Sequence, residues 1–115
     1  MEPSQLPPVP AVSAMEAALL LADGDAVLID VRDPEEWAQA TIPKAEFRPM
    51  STINDWYGRL PRDTTVIVYC KTGARSHAVV HALSTQAGFT NAVNLEGGIV
   101  AWAADDLPVE SSASH

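Results

Sequence analysis

T-T-V-I-V-Y-C-K-T-G-A-R-S, Thr64 to Ser76, is the stretch that decides the fold. It opens on a run of branched apolar residues from Thr64 to Tyr69, the pattern of a strand buried on both faces. A short loop of charged and small residues follows, and Ser76–Ala87 then reads as a helix, with Gly88 as its stop and Phe89 folding back. Strand, loop and helix make one α/β unit, and the flanking segments repeat it. Upstream, Ala26–Val31 is a second buried strand. Asp33, Pro34, Glu35 and Glu36 then start a helix that ends before Pro43, with a cap, a proline in the first turn and an acid three residues on. Nearer the N-terminus, Ser13 and Glu16 form a capping box. Met15, Leu19 and Leu20 give that helix an apolar stripe, and it stops near Gly24. Ser51 can cap a further helix through about Leu60, stopped by Pro61. Downstream, Ala92–Leu95 is a third strand, and Gly97-Gly98 turns the chain into a last short helix containing Trp102. A short edge strand is placed near Val9. This alternation predicts an α/β fold, a mainly parallel sheet of about five strands with helices on both faces.

The chain has 115 residues, enough for one core and too few for two domains. Residues 1–8, rich in proline, read as an irregular lead-in, 9–109 as the domain and 110–115 as a frayed polar tail. Fifteen acids against seven bases give a formal charge of −8, the opposite of a nucleic-acid binder's balance. The longest apolar runs, Ala17–Ala22 and Val66–Cys70, are far short of the ~18 residues of a membrane span. No basic region precedes an apolar stretch at the N-terminus, so no secretory signal is expected and the expected location is the cytoplasm. Cys70 is the single cysteine, which excludes an internal disulfide and a cysteine-based zinc site.

A lone cysteine serves packing or chemistry, and free cysteine is among the most buried residue types. Its surroundings favour chemistry. Cys70 ends a buried strand at the edge where open α/β sheets bind ligands. Ala74, Arg75 and Ser76 lead into a helix whose first N–H groups lack partners and whose positive dipole end faces the loop. Gly73 lets the backbone bend so that several N–H groups converge on one point. Lys71 and Arg75 add positive charge to an acidic protein. All of these stabilise a thiolate, so the Cys70 pKa is expected to be depressed. The same cradle would hold an anion or a persulfide.

With these residues in view, C-K-T-G-A-R-S resembles the active-site loop of rhodanese-family sulfurtransferases. L-I-D-V-R-D-P-E-E-W at Leu28–Trp37 is similar to the family's first strand-and-helix signature. A-T-I-P-K-A at Ala40–Ala45 is a degraded G-H-I-P-G-A, with Ala40, Thr41 and Lys44 in place of glycine, histidine and glycine. N-L-E-G-G-I-V-A-W at Asn94–Trp102 is similar to the closing signature, and Asp106 stands where a glycine often precedes L-P. The resemblance runs from about Val9 to Val109. It is closest to the rhodanese modules of sulfur-transfer enzymes in molybdopterin and thiamine biosynthesis, whose adenylating domain does not fit within these 115 residues. The resemblance implies a rhodanese-like fold and sulfur transfer through a persulfide on Cys70, with no cofactor and no metal. It further implies thiosulfate or another small sulfur donor, and a thiol, cyanide or a sulfur-carrier protein as acceptor. Lys71, Thr72, Gly73, Ala74, Arg75 and Ser76 form the expected anion loop, with Lys71 and Arg75 both facing a dianionic donor.

Two alternatives share the fold: a cysteine phosphatase and a non-catalytic module. Phosphatases of this type space cysteine and arginine by five residues, whereas only Lys71 to Ala74 separate Cys70 from Arg75. A ring of N–H donors around phosphate must be wider than one around a single sulfur. Non-catalytic modules of the family typically lack the cysteine. Asp30 and Arg32, at the end of a core strand, could support the loop, with a structural ion pair or helix cap as the preferred reading. His77 and His81 sit four apart without a third ligand, so a solvated helix face is expected. Trp37 and Trp102 are expected in the core. Trp56 and Tyr57 could line the site rim or pack. Ser76 is expected to cap its helix.

Overall fold

The structure, a computed structural model describing residues 6–111, holds one five-stranded sheet in the order β1-β5-β4-β2-β3. The strands are β1 (Ala11–Val12), β2 (Ala26–Asp30), β3 (Glu46–Phe47), β4 (Thr65–Tyr69) and β5 (Ala92–Leu95), and every neighbouring pair is parallel. The helices are α1 (Ala14–Ala22), α2 (Pro34–Gln39), α3 (Ile53–Trp56), α4 (Ala74–Gln86) and α5 (Gly98–Ala104). From the central pair, β2 runs on to β3 on one side and β4 to β5 on the other. The crevice beyond their carboxyl ends is the binding position of open α/β sheets. Cys70 follows β4 at that crevice.

Alternation along β4 sorts the core into two layers. Val66, Val68 and Cys70 face Trp56, Leu60, Val79, Val80, Leu83 and Phe89 on the side of α3 and α4. Ile67 and Tyr69 face Ala14, Ala17, Ile99 and Trp102 on the side of α1 and α5. A central strand buried on both faces reads as the unbroken apolar run seen in the sequence.

Several local expectations are corrected. The Ser13–Glu16 capping box forms, with bonds of 2.9 and 3.1 Å, but α1 turns Ala14 and Ala17 inward. Met15 and Leu19 point outward, 53% and 64% exposed, because small residues let the helix lie close to the sheet. Ser51 caps no helix: the segment is two 3-10 turns, Met50–Thr52 and Tyr57–Arg59, around the four residues of α3. The edge strand expected near Val9 lies at Ala11–Val12, and β3 went unseen because two residues carry no period. Helix α4 begins at Ala74, not Ser76, after Gly73 at φ 107°. Trp102 is buried as expected, while Trp37 is half-buried and stacks on Phe47 at 5.0 Å. Glu110, read as part of a frayed tail, exchanges two 2.8 Å backbone bonds with Thr41. Residues 1–5 and 112–115 of the lead-in and tail lie outside the described residues.

The departures at Lys44 and Asp106 have a backbone consequence. Both adopt positive φ, 71° and 60°, the left-handed region that glycine enters without cost. The turns keep a glycine's shape with other residues in place.

Candidate active site

The site grows out of one tight turn. Cys70 is almost fully buried, yet its sulfur is not in an apolar pocket. The Gly73 N–H reaches Sγ at 3.2 Å, the Ser76 N–H at 3.4 Å and the Ser76 hydroxyl at 3.4 Å. Burial pushes the thiol up; bonds from the Ser76 hydroxyl and from the N–H groups of Ser76, Gly73 and Arg75 outweigh it, and the net shift is downward. The left-handed turn at Gly73 and the first turn of α4 aim these donors at one point. Ser76 therefore does not cap α4 from outside; it sits within the first turn and faces the sulfur.

A second layer holds the loop in this shape. Ile99 and Val100, in the first turn of α5, donate to the carbonyls of Cys70 and Lys71 at 3.0 and 3.1 Å. With its carbonyls drawn to α5, the loop presents N–H groups to the sulfur. This approach requires Gly98, where a Cβ would come within 2.5 Å of the Cys70 carbonyl oxygen. Asn94, at the end of β5, donates from Nδ2 to the Gly73 carbonyl at 3.2 Å and accepts the Ser76 hydroxyl at 2.6 Å. That hydroxyl has one proton. It has three acceptors in reach: Asn94 Oδ1 at 2.6 Å, the Gly73 carbonyl at 3.3 Å and Sγ at 3.4 Å. Asn94 and Gly98 belong to the closing signature, but sequence reasoning did not assign them to the site. Their signal was a buried-strand position occupied by an amide, and a glycine pair next to an apolar helix.

Asp30 and Arg32 form the structural pair preferred from sequence. Arg32 donates to Asp30 from its backbone N–H at 2.9 Å, from Nε at 3.0 Å and from Nη2 at 2.8 Å, with both residues buried. Nη2 also reaches the Ala40 carbonyl. Asp30 lies beside Tyr69 in register, and the Tyr69 hydroxyl accepts the Ile42 N–H at 3.1 Å. Burial and the Asp30 charge push the Tyr69 hydroxyl well above its usual range, so it stays neutral. The network braces the residue before Cys70 and anchors the Ala40–Ala45 segment that carries the family departures.

The two loop cations do not behave alike. Lys71 is exposed and makes no ion pair among the described residues. It borders a cleft of about 290 Å³ with Arg32, Glu36, Ile99, Val100 and Val109. Arg75, expected to face a donor, turns its guanidinium to Glu36 of α2 in a two-point ion pair of 2.7 and 2.9 Å. Its backbone N–H serves the sulfur directly, and its guanidinium reaches the thiolate only as a charge, without a hydrogen bond. Thr72 and Ala74 are exposed, and the structure gives their side chains no contact with Sγ. His77 bonds the Pro7 carbonyl through Nε2 at 2.8 Å, and no group of three or more metal-ligating side chains occurs among the described residues. Trp56 is buried and bonds the Pro49 carbonyl, while Tyr57 borders a shallow hollow with Ile53 and Leu83. No described helix is long and apolar enough to cross a membrane.

A cysteine cradled by N–H groups at the end of a central parallel strand can hold a negative sulfur. Residues 13–105 match the Rhodanese-like domain family. The chain belongs to this family. Over 83 residues, 70% of the chain, it is 51% identical to the probable adenylyltransferase/sulfurtransferase MoeZ of Mycobacterium tuberculosis, of which the match covers 21%. The chain thus spans about a fifth of that relative's length. It is 42% identical over 85 residues to a sulfurtransferase of Allochromatium vinosum, covering 74% of this chain and 78% of that protein. The crystal structure of a rhodanese-related protein from Thermoplasma volcanium matches the rhodanese fold seen here with a TM-score of 0.77 and 27% identity, covering 89% of this chain and 98% of that one. The Mycobacterium and Allochromatium relatives both bear the name sulfurtransferase.

Proposed function

We propose that the chain is a sulfurtransferase that moves sulfane sulfur from thiosulfate or a related donor to a thiophilic acceptor through a persulfide on Cys70. The observation that carries this reading is the convergence of the Gly73 and Ser76 N–H groups and the Ser76 hydroxyl on Sγ. Such a cradle stabilises the thiolate that attacks and the terminal sulfur that remains. In the first step the Cys70 thiolate bonds to the outer sulfur of thiosulfate. The sulfur–sulfur bond of the donor breaks, and its electron pair leaves with sulfite. In the second step an acceptor thiolate, cyanide or a sulfur-carrier protein attacks the terminal sulfur of the persulfide. The bond to Sγ breaks, its electrons return to Sγ, and the thiolate is restored. Neither step requires a metal or an organic cofactor. We propose the reducing cytoplasm as the place of the reaction, since a free thiol persists there.

Steady-state assays of wild type and Cys70→Ser on thiosulfate with cyanide, and on an aryl phosphate, test the reading. Wild type should turn over thiosulfate with ping-pong kinetics. Cys70→Ser should lose turnover while keeping its thermal midpoint, since serine fits the volume but forms no persulfide. Aryl phosphate hydrolysis without thiosulfate turnover would replace this reading with the phosphatase, and inertness on both would leave a binding module.

A further inference from the structure

The charges around the loop point to a selectivity that the cradle alone does not explain. Arg32 is neutralised by Asp30 at 2.8 Å. Arg75 is held by both carboxylate oxygens of Glu36, at 2.7 and 2.9 Å, and Asp33 also acts on it electrostatically. The Arg75 guanidinium holds Glu36 down to about 2, so Glu36 is a full negative charge at any working pH. Lys71 and Arg75 are thus opposed by Glu36 and Asp33, and the loop surroundings sum to about zero before the Cys70 thiolate is counted. Glu36 Oε1 is fixed by more than Arg75: it also accepts the Asp33 N–H at 3.1 Å, at the start of α2. The carboxylate is therefore a built feature of the helix start beside the cleft that Lys71 borders.

We propose that Glu36 is a specificity-determining residue that sets the loop against doubly charged donors and in favour of singly charged ones. This deepens the sulfurtransferase reading and rests on it. Thiosulfate brings two negative charges to a thiolate held by hydrogen bonds, with no net side-chain charge around it. A thiosulfonate is the same donor with one charged oxygen replaced by carbon. It delivers its outer sulfur in the same way: the Cys70 thiolate bonds to that sulfur, the sulfur–sulfur bond breaks, and the electron pair leaves with a sulfinate. The chemistry at Sγ is unchanged, so the two donors differ mainly in charge.

The test is the ratio of kcat/KM for thiosulfate to kcat/KM for the methanethiosulfonate anion, with cyanide as acceptor. Glu36→Gln keeps an Oε1 acceptor for Arg75 and for the Asp33 N–H but removes the charge. It should raise the ratio roughly threefold to fivefold at low salt, the size of one partly screened unit charge several ångströms from the donor. Glu36→Asp keeps the charge and should leave the ratio close to the wild-type value. In wild type the ratio should rise with ionic strength, because screening relieves the repulsion of the dianion more than that of the monoanion. An unchanged ratio in Glu36→Gln, an equal rise in Glu36→Asp, or a wild-type ratio that falls with salt would each overturn the role of Glu36 while leaving sulfur transfer intact. Failure of wild type to take sulfur from either donor would overturn both.

Discussion

At Cys70 two opposed effects meet, and hydrogen bonds win. Burial alone would leave a neutral, inert thiol, as in most buried cysteines. Three donors at 3.2 to 3.4 Å, together with the Arg75 N–H, reverse that. Ser76→Ala removes one of them and leaves the backbone groups in place. The Cys70 pKa should then rise, by the loss of one hydrogen bond worth about 1 kcal/mol. The sign follows from the form that is bonded: losing a donor to the thiolate favours the thiol, so less thiolate is present at a given pH. The rate of iodoacetamide alkylation against pH should shift to higher pH, and a shift to lower pH would contradict the role given to Ser76. Cys70 and its loop were legible in the sequence because the chemistry needs a cysteine, a glycine and a helix start in a row. The loss of Arg75 to Glu36 was not. The two lie 39 residues apart, and no local pattern announces an ion pair of that span.

At the scale of elements, strands and helix starts were legible where their signals were local. The strand Ala92–Leu95, the start of α2 after Asp33 and the capping box at Ser13 all rest on residues within one turn. The misread elements depend on distant partners. Of the predicted stripe Met15, Leu19 and Leu20, only Leu20 packs against the core, because periodicity reports side-chain type while the sheet selects Ala14 and Ala17 for close approach. The segment from Ser51 broke into turns around Trp56, whose bond to the Pro49 carbonyl at 3.0 Å pulls the chain inward. Strand β3 exists only through its pairing with β2. Turn chemistry yields a direct test. Lys44 and Asp106 hold positive φ without being glycine, a conformation costing roughly 1–2 kcal/mol for an L-residue. The larger entropy of glycine in the unfolded chain offsets part of the gain. Lys44→Gly and Asp106→Gly should each stabilise the fold by roughly 0.5–1 kcal/mol, read as a rise in the urea midpoint. A fall in either midpoint would show that the side chain contributes more than the turn costs. Gly98→Ala should do the opposite and slow alkylation of Cys70, because a methyl group there meets the Cys70 carbonyl.

Over the whole molecule, the crevice between β2 and β4 gathers parts from distant segments of the sequence: the β4–α4 loop, Glu36 of α2, Asn94 of β5 and Gly98 of α5. The Glu36–Arg75 pair ties α2 to α4 and should be visible in global stability. Glu36 is depressed from its ordinary 4.5 to about 2, so its contribution is present above pH 4.5 and is lost as the pH falls toward 2. The side chains are 26% and 34% exposed, so the pair is worth about 1 kcal/mol rather than the full shift. Urea midpoints of Glu36→Gln and wild type should differ at pH 6 and converge near pH 2; a difference that persists in acid would assign the effect to packing. The measurement that bears most directly on the account is the intact mass of the protein after brief mixing with thiosulfate. The account predicts a gain of one sulfur, removed by dithiothreitol and absent in Cys70→Ser. An unchanged mass at saturating thiosulfate and at saturating methanethiosulfonate, with the fold intact and the cysteine free to alkylate, would contradict it.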